Sequence, residues 1–554
     1  MPLPLHRERL ALAGLWTLTL APVLAHGIWR PVLQALGADG DAVAVTWAAL
    51  AVAATAIALR IGSTPAALRA GAPLGVAVLG ALLAGGSTTA ALAALIPVAL
   101  GATLALPRLL RAVPPHLDGH ARQRPKTTAA LVVLGLATLV VTSRVSTFIG
   151  DARLTHLSIT DLYSPPYTHH ACSTAYFQAA ALAEQRVENL YDADWWPSVG
   201  HTPRGEEQAL AYAPFGLDAY AYPPPFLVVP EALRLLVHDY AAQRALWFGL
   251  NGLLAALGLW VLVAFVGRTH PRAAARALVL APLVWLSGPT IISLQVGNVH
   301  FALMALSIVA MVAFERQHHA LGGALLALVI LAKISPGVLA LYLVLQKRWR
   351  PVLWTAGFGV VWSAIALAAF GMRPFVAFVT YELPRLNTGA ALEFFSDNVR
   401  EIASNMAPFG LPLKLQGMGL DLGDPWVLSG RIGLVYTLVL VGLVVVAARR
   451  RADPLLRAGL WLAILTLGAL RSPFAPPYVI LTGLWLFTLW AAEVRSVRGA
   501  VAVGVAQVAF IVMPWPDALI FPVSIAQHLA FLAAIIGFVV RPTPFSQGEA
   551  DTAS

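Results

Sequence analysis

Two carboxylates, one isolated ammonium and a short amide-imidazole turn are the groups in this sequence whose placement invites chemistry. Asp151 opens a long polar stretch directly after an apolar run, and Asp161 follows in the same stretch. A carboxylate held at a membrane surface can take the proton from an attacking hydroxyl. The same residues could equally cap short helices or solvate a loop. Lys333 is the only lysine between Lys126 and Lys347. An ammonium at membrane depth costs about 2.5–3.5 kcal/mol on insertion scales, so it either clamps an anion such as a lipid phosphate in a cavity or snorkels to the interface. Gln295-Val296-Gly297-Asn298-Val299-His300 offers amides and an imidazole to a sugar or a phosphate, and is otherwise a hydrogen-bonded turn. Asn398 and Arg400 form a further amide-base pair. Arg400 suits bidentate binding of phosphate, or else pairs with Asp397 or Glu401. His156, His169, His170 and Cys172 are spaced like no standard zinc pattern, and there is no second cysteine. The expectation is therefore no metal and no cofactor. No Walker A, dinucleotide Gly-rich, HExxH or GxSxG sequence occurs, which leaves ATP hydrolysis, hydride transfer and serine esterase chemistry without visible machinery.

These groups must be positioned by a membrane-embedded frame. Of the 554 residues 58% are hydrophobic and 12% charged, about half the charge of a soluble domain, and the mean hydropathy is +0.74. Stretches 70–107 and 277–314 contain no Asp, Glu, Lys or Arg, so each has room for two spans of about 20 apolar residues. A soluble enzyme, a disordered chain and a nucleic-acid-binding module are excluded. Continuous apolar runs fall at 10–29, 41–59, 72–86, 88–106, 127–147, 243–266, 276–294, 298–314, 320–332, 336–346, 351–370, 429–448, 455–471, 477–493, 499–513 and 519–540. They do not alternate as barrel strands do, and they predict an all-α polytopic bundle of about 14–16 helices.

The net charge of +10 is explained by sidedness. With the N-terminus cytoplasmic, Arg108, Arg111, Arg122, Arg124, Lys126, Arg268, Arg272, Arg276 and Arg449–Arg451 all fall on inner loops, as the positive-inside rule requires. That arrangement holds past residue 346 only if 320–346 breaks at Lys333-Ile334-Ser335-Pro336-Gly337, where Pro and Gly interrupt a helix. The two arms, roughly 15–20 Å each, form a hairpin with Lys333 at its outer apex. Broken backbone at membrane depth survives where it lines a cavity in the protein. This topology puts both long polar stretches, 148–241 and 371–428, outside a bacterial plasma membrane, with both termini inside.

In chain order, several segments resemble the GT-C membrane glycosyltransferases, and most of all family 87, which includes polyprenyl-phosphate-mannose-dependent mannosyltransferases. They are Tyr176-Phe177-Gln178-Ala179-Ala180 with Asn189-Leu190-Tyr191-Asp192, Tyr222-Pro223-Pro224-Pro225-Phe226, Gly297-Asn298, Ala332-Lys333 with Pro336 and Lys347-Arg348-Trp349-Arg350, Asp397-Asn398 through Arg400, and Arg471-Ser472-Pro473 with Tyr478. The resemblance covers 127–495. It leaves 1–126 as additional N-terminal helices and 496–554 as C-terminal helices with a short tail.

It implies inverting transfer of a sugar, mannose foremost, from a polyprenyl-phosphate donor to a glycolipid or polysaccharide hydroxyl at the outer face, with membrane lipid as partner and no nucleic acid. Lys333, Arg400 and His300 would bind the donor phosphate. Tyr176, Tyr222, Asn298, Asn398, His169 and His170 would bind sugar or acceptor, and Trp195 or Trp196 could stack on a sugar ring. At the position of the family's usual Asp stands Cys172, so the base is expected at Asp161, with Asp151 second. Pro476 and Pro477 stand where the family tends to have histidines. A transporter of lipid-linked glycans or a non-catalytic membrane partner is the alternative. A transporter should show paired broken helices in two related halves, and the sequence has one clear break.

Overall fold

The computed structural model describes residues 30–35, 169–200, 202–270, 287–391, 398–450, 452–493 and 517–541, with Val145, Phe148, Asp151, Leu154, Thr155, Ala273, Ala274, Ala277, Val284, Trp285 and Ser396 as single positions. The apolar runs at 10–29, 41–59, 72–86, 88–106 and 499–513, and nearly all of 127–147, lie outside the described residues. So do Asp161 and His156. The chain is helical as expected, with no strand among the described residues. It divides into two compact units. The first comprises 1–159, 233–256 and 281–286, and the second 160–232, 257–280 and 287–554.

In chain order the elements used below are α1 (Cys172–Glu184), α2 (Tyr240–Val266), α3 (Gly288–Gln295), α4 (His300–Glu315), α5 (His319–Ala332), α6 (Gly337–Leu345), α7 (Trp349–Phe370), α8 (Leu383–Thr388), α9 (Val399–Ser404), α10 (Pro425–Ala448), α11 (Pro454–Ala469), α12 (Leu481–Glu493) and α13 (Ile520–Val540). Four of them, α2, α7, α10 and α13, are long and apolar enough to cross a membrane. A fifth span is possible if α3 and α4, bent by 111°, are taken together. The protein is a multi-pass membrane protein.

Local chemistry explains where these helices start and stop. Asp424 Oδ1 caps α10 by accepting from Trp426 N at 2.8 Å, and Asp453 Oδ1 caps α11 by accepting from Leu456 N at 2.8 Å. Each has Pro at its first helical position, where the missing N–H is not needed. The bend between α3 and α4 turns on Gly297, at φ 63°, a left-handed conformation that glycine adopts without steric cost. The expected hairpin is present: α5 ends at Ala332, Lys333 is extended at φ −152°, and α6 resumes at Gly337.

In the second unit, α5 packs along α7 at very close range. A Cβ on Gly323 would come within 2.7 Å of Trp354, and Trp362 Nε1 donates to Ala324 O at 3.2 Å. Gly323→Val should therefore destabilise the bundle by about 1–3 kcal/mol through overpacking, read as a lower unfolding temperature in detergent. The opposite flank of α7 exposes Leu353, Val360, Val361 and Ile365, as a lipid-facing helix does. Trp461 on α11 is buried against Tyr342 of α6 and donates to Ser307 O at 3.1 Å. Where α4 ends, Glu315 accepts from Arg348 at 2.6 Å and pairs with Arg457. This ties the basic segment that follows the hairpin to α11.

The first unit is described more sparsely. Arg244 of α2 donates to Phe148 O at 2.9 Å and stacks 4.2 Å over the Phe148 ring.

A candidate transfer site around Cys172, Asp218 and Lys333

Within the second unit, the segments singled out in the sequence converge on one cavity of about 840 Å³. Its walls come from the start of α1, the 218–223 segment, the α3–α4 turn, the α5–α6 break, the 382–401 region and the 471–478 turn.

Thr174 fixes the first two walls to each other. Its Oγ1 lies 2.7 Å from Ala171 O and 3.1 Å from Gly216 O, and it accepts from Asp218 N at 3.0 Å. Asn298 joins the third. Its Nδ2 reaches Tyr222 Oη at 3.2 Å, Tyr478 Oη at 3.1 Å and Cys172 Sγ at 3.4 Å, while its Oδ1 accepts from His300 N at 2.9 Å. Tyr176 Oη donates to Tyr222 Oη at 3.1 Å and accepts from Val299 N at 3.3 Å. Tyr176, Tyr220 and Phe226 surround the Tyr222 ring with centroids 5.1–5.6 Å away. Burial pushes the Tyr176 and Tyr222 hydroxyls well up, so this wall stays neutral.

Buried Asn405 secures the last wall. It donates to Pro473 O at 3.0 Å and accepts from Ala407 N and Ala475 N, each at 3.0 Å. Arg471 and Ser472 are thereby held at the cavity.

The expected site residues separate in space. Tyr176, Tyr222, Asn298, Lys333, Asn398, His170 and Trp196 line the cavity. Asn398 also caps α9 by accepting from Arg400 N at 2.8 Å. Arg400 is exposed on α9. His169, at φ 65°, holds a loop through Nδ1 and Pro214 O at 2.9 Å. His300 is buried at the start of α4 with Nε2 3.1 Å from Val479 O. Trp195 lies under the Arg204 guanidinium at 3.6 Å. Asp151 belongs to the first unit, where it acts on Arg244.

Three carboxylates on the cavity wall were not expected: Asp218, Glu382 and Glu401. Asp218 Oδ2 lies 3.5 Å from His170 Nε2, and these side chains are 21% and 31% exposed. Desolvation alone would lower the imidazole, but Asp218, with Cys172 and Glu401, outweighs it and raises His170 to about 10. The pair is therefore an imidazolium facing a carboxylate at neutral pH. Asp218 precedes Tyr222 by the same four residues that separate Cys172 from Tyr176, and that repeated spacing was the available signal.

Glu382 ends a π-turn over Phe378–Glu382, a backbone feature frequent at functional sites. Burial raises its carboxyl to about 7, against the opposing pull of Arg385 at 3.2 Å. A raised carboxyl binds its proton more tightly folded than unfolded, so it lowers stability as pH climbs from about 4.5 to about 7. His170 does the same from 6.5 to about 10. Melting curves between pH 4.5 and 10 should fall along both windows, with Glu382→Gln flattening only the first.

Residues 220–473, just under half of the chain, match the family model Glycosyltransferase family 87, and the chain is accordingly family 87-like. Among solved structures it is similar to ArnT from Cupriavidus metallidurans in the apo state, at 14% identity and a TM-score of 0.27, over 75% of this chain and 78% of that one. No curated protein matches the sequence.

Proposed function

We propose that the protein is an inverting glycosyltransferase that moves a sugar, mannose foremost, from a polyprenyl phosphate to a hydroxyl of a glycolipid or polysaccharide at the outer face of the bacterial plasma membrane. The observation that carries this reading is the cavity inside the second unit, where Asp218, Lys333, Arg471 and the Tyr176–Tyr222 wall face one space. Residues 127–495 form the catalytic core in this reading, flanked by helices in 1–126 and 496–554.

The acceptor hydroxyl oxygen attacks the anomeric carbon, and its proton passes to Asp218. As the new C–O bond forms, the bond from the anomeric carbon to the phosphate oxygen breaks and the lipid phosphate departs as an anion. No general acid is needed, because phosphate is already a good leaving group. Lys333 and Arg471 are placed to balance its charge, an interaction that gains strength in a dry site. Asp218 takes the role expected of Asp161 or Asp151 because it stands beside Cys172, where the family's carboxylate is missing.

The test is transfer of label from a short-chain polyprenyl-phosphate-[14C]mannose to extracted membrane glycolipids by the full chain in vesicles. Label should appear in glycolipid. If the donor stays intact with mannose and with the other lipid-phosphate hexoses and pentoses tried, the transferase reading is wrong.

A further inference from the structure

The cavity wall carries a donor set of which the transfer reaction uses only Asp218. His170 Nε2, Cys172 Sγ and Asp218 are the one group of three metal-capable side chains among the described residues whose ligand atoms all lie within 4.8 Å of one another. Two of their separations are resolved: His170 Nε2 to Cys172 Sγ is 3.5 Å, and His170 Nε2 to Asp218 Oδ2 is 3.5 Å. The second is longer than an ordinary N–H···O hydrogen bond of about 2.7–3.2 Å. It does match the edge of a tetrahedron around zinc, since bonds of about 2.0–2.3 Å to N, O and S place neighbouring ligands roughly 3.3–3.6 Å apart.

The supporting contacts already orient the ligands. Asn298 Nδ2 points at the sulfur from 3.4 Å. Asp218 Oδ1 is engaged by Ala219 N at 3.0 Å, which leaves Oδ2 toward His170. Thr174 holds the Asp218 backbone. Second-shell bonds of this kind fix ligand geometry in metal sites. All three ligands border the cavity, so a fourth position would open into it.

We propose that His170, Cys172 and Asp218 form a binding site for a soft divalent cation of the zinc class. Binding displaces the protons of the His170 imidazolium and the Cys172 thiol, and the resulting thiolate, imidazole and carboxylate select such an ion over magnesium or calcium. Three protein ligands with an open position leave room for water or for an oxygen of a bound phosphate or sugar. Sequence spacing conceals the site because Asp218 arrives from a distant segment. Metal binding does not depend on the transferase reading. One consequence does rest on it: Asp218 bound to metal cannot accept a proton, so a loaded protein transfers no sugar until the ion is removed.

The experiment is a Co2+ titration of the chelator-stripped full chain in detergent, followed by displacement with Zn2+. The chain has one cysteine, so a near-UV thiolate-to-cobalt band can come only from Cys172. One equivalent should give that band together with the intense visible bands of four-coordinate cobalt, and Zn2+ should erase both. Cys172→Ser should remove the near-UV band. His170→Ala should weaken binding by more than the ~10–100-fold that losing a second-shell partner costs. Melting curves that match wild type would show that both variants fold. Absence of the thiolate band at stoichiometric cobalt, or an affinity unchanged in His170→Ala, would overturn the site. Metal binding with no effect on transfer would leave the site standing and remove Asp218 as the base. A wild-type chain that binds no cobalt yet transfers sugar would overturn the site and leave Asp218 as the base.

Discussion

Asp218→Asn is expected to lower sugar transfer by ~10²–10⁴-fold, the usual contribution of a positioned general base, while donor binding persists. The substitution keeps the side chain's size and one acceptor oxygen, so the contact of Oδ1 with Ala219 N survives. What disappears is the proton acceptor, together with the negative charge that holds His170 as a cation. Donor affinity, read by displacement of a fluorescent polyprenyl phosphate, should change far less than turnover, because the phosphate-facing cations are untouched. The assay needs a chelator, so that metal occupancy does not mask the base. Asp151→Asn and Asp161→Asn belong in the same series. If either abolishes turnover and Asp218→Asn does not, the base lies elsewhere.

Lys333→Ala should cost about 10²–10³-fold in turnover, the scale of losing one preorganised charge stabiliser, and should also weaken donor binding. The side chain cannot simply relocate to the lipid interface. It projects from an extended residue between α5 and α6, and it lines the cavity with Ile334 and Ser335. Lys333→Arg should recover part of the loss by restoring the charge, though with a different reach. A Lys333→Ala protein that melts like wild type yet binds donor and turns over undiminished would show that the ammonium serves only to satisfy the helix break.

The two predictions differ in what foreshadowed them. Lys333 was legible because its signal is contiguous: an apolar run interrupted by Lys-Ile-Ser-Pro-Gly must break, and a cation at a break needs a cavity. The spans at α2, α7, α10 and α13 were legible for the same reason, since membrane crossing depends on the composition of consecutive residues. The Asn298 turn was recognised as polar, but its role was not. Its amide links Cys172 and Tyr478, separated from it by 126 and 180 positions. Asn405, which holds the Pro473 turn from 68 positions away, gave no local signal at all.

Repeated membrane crossing, the helix break at Lys333 and the family 87-like order of the segments were all readable before folding. Each follows from neighbours along the chain, through hydropathy, helix-breaking residues and motif spacing. Tertiary structure alone decided that Asp218 stands beside Cys172, that Glu382 is buried with its carboxyl raised to about 7, and that His170 faces a carboxylate while His169 holds a loop. These are properties of space between distant segments. Burial and charge pairing depend on which side chains folding brings within a few ångströms, and residue order does not encode that separation.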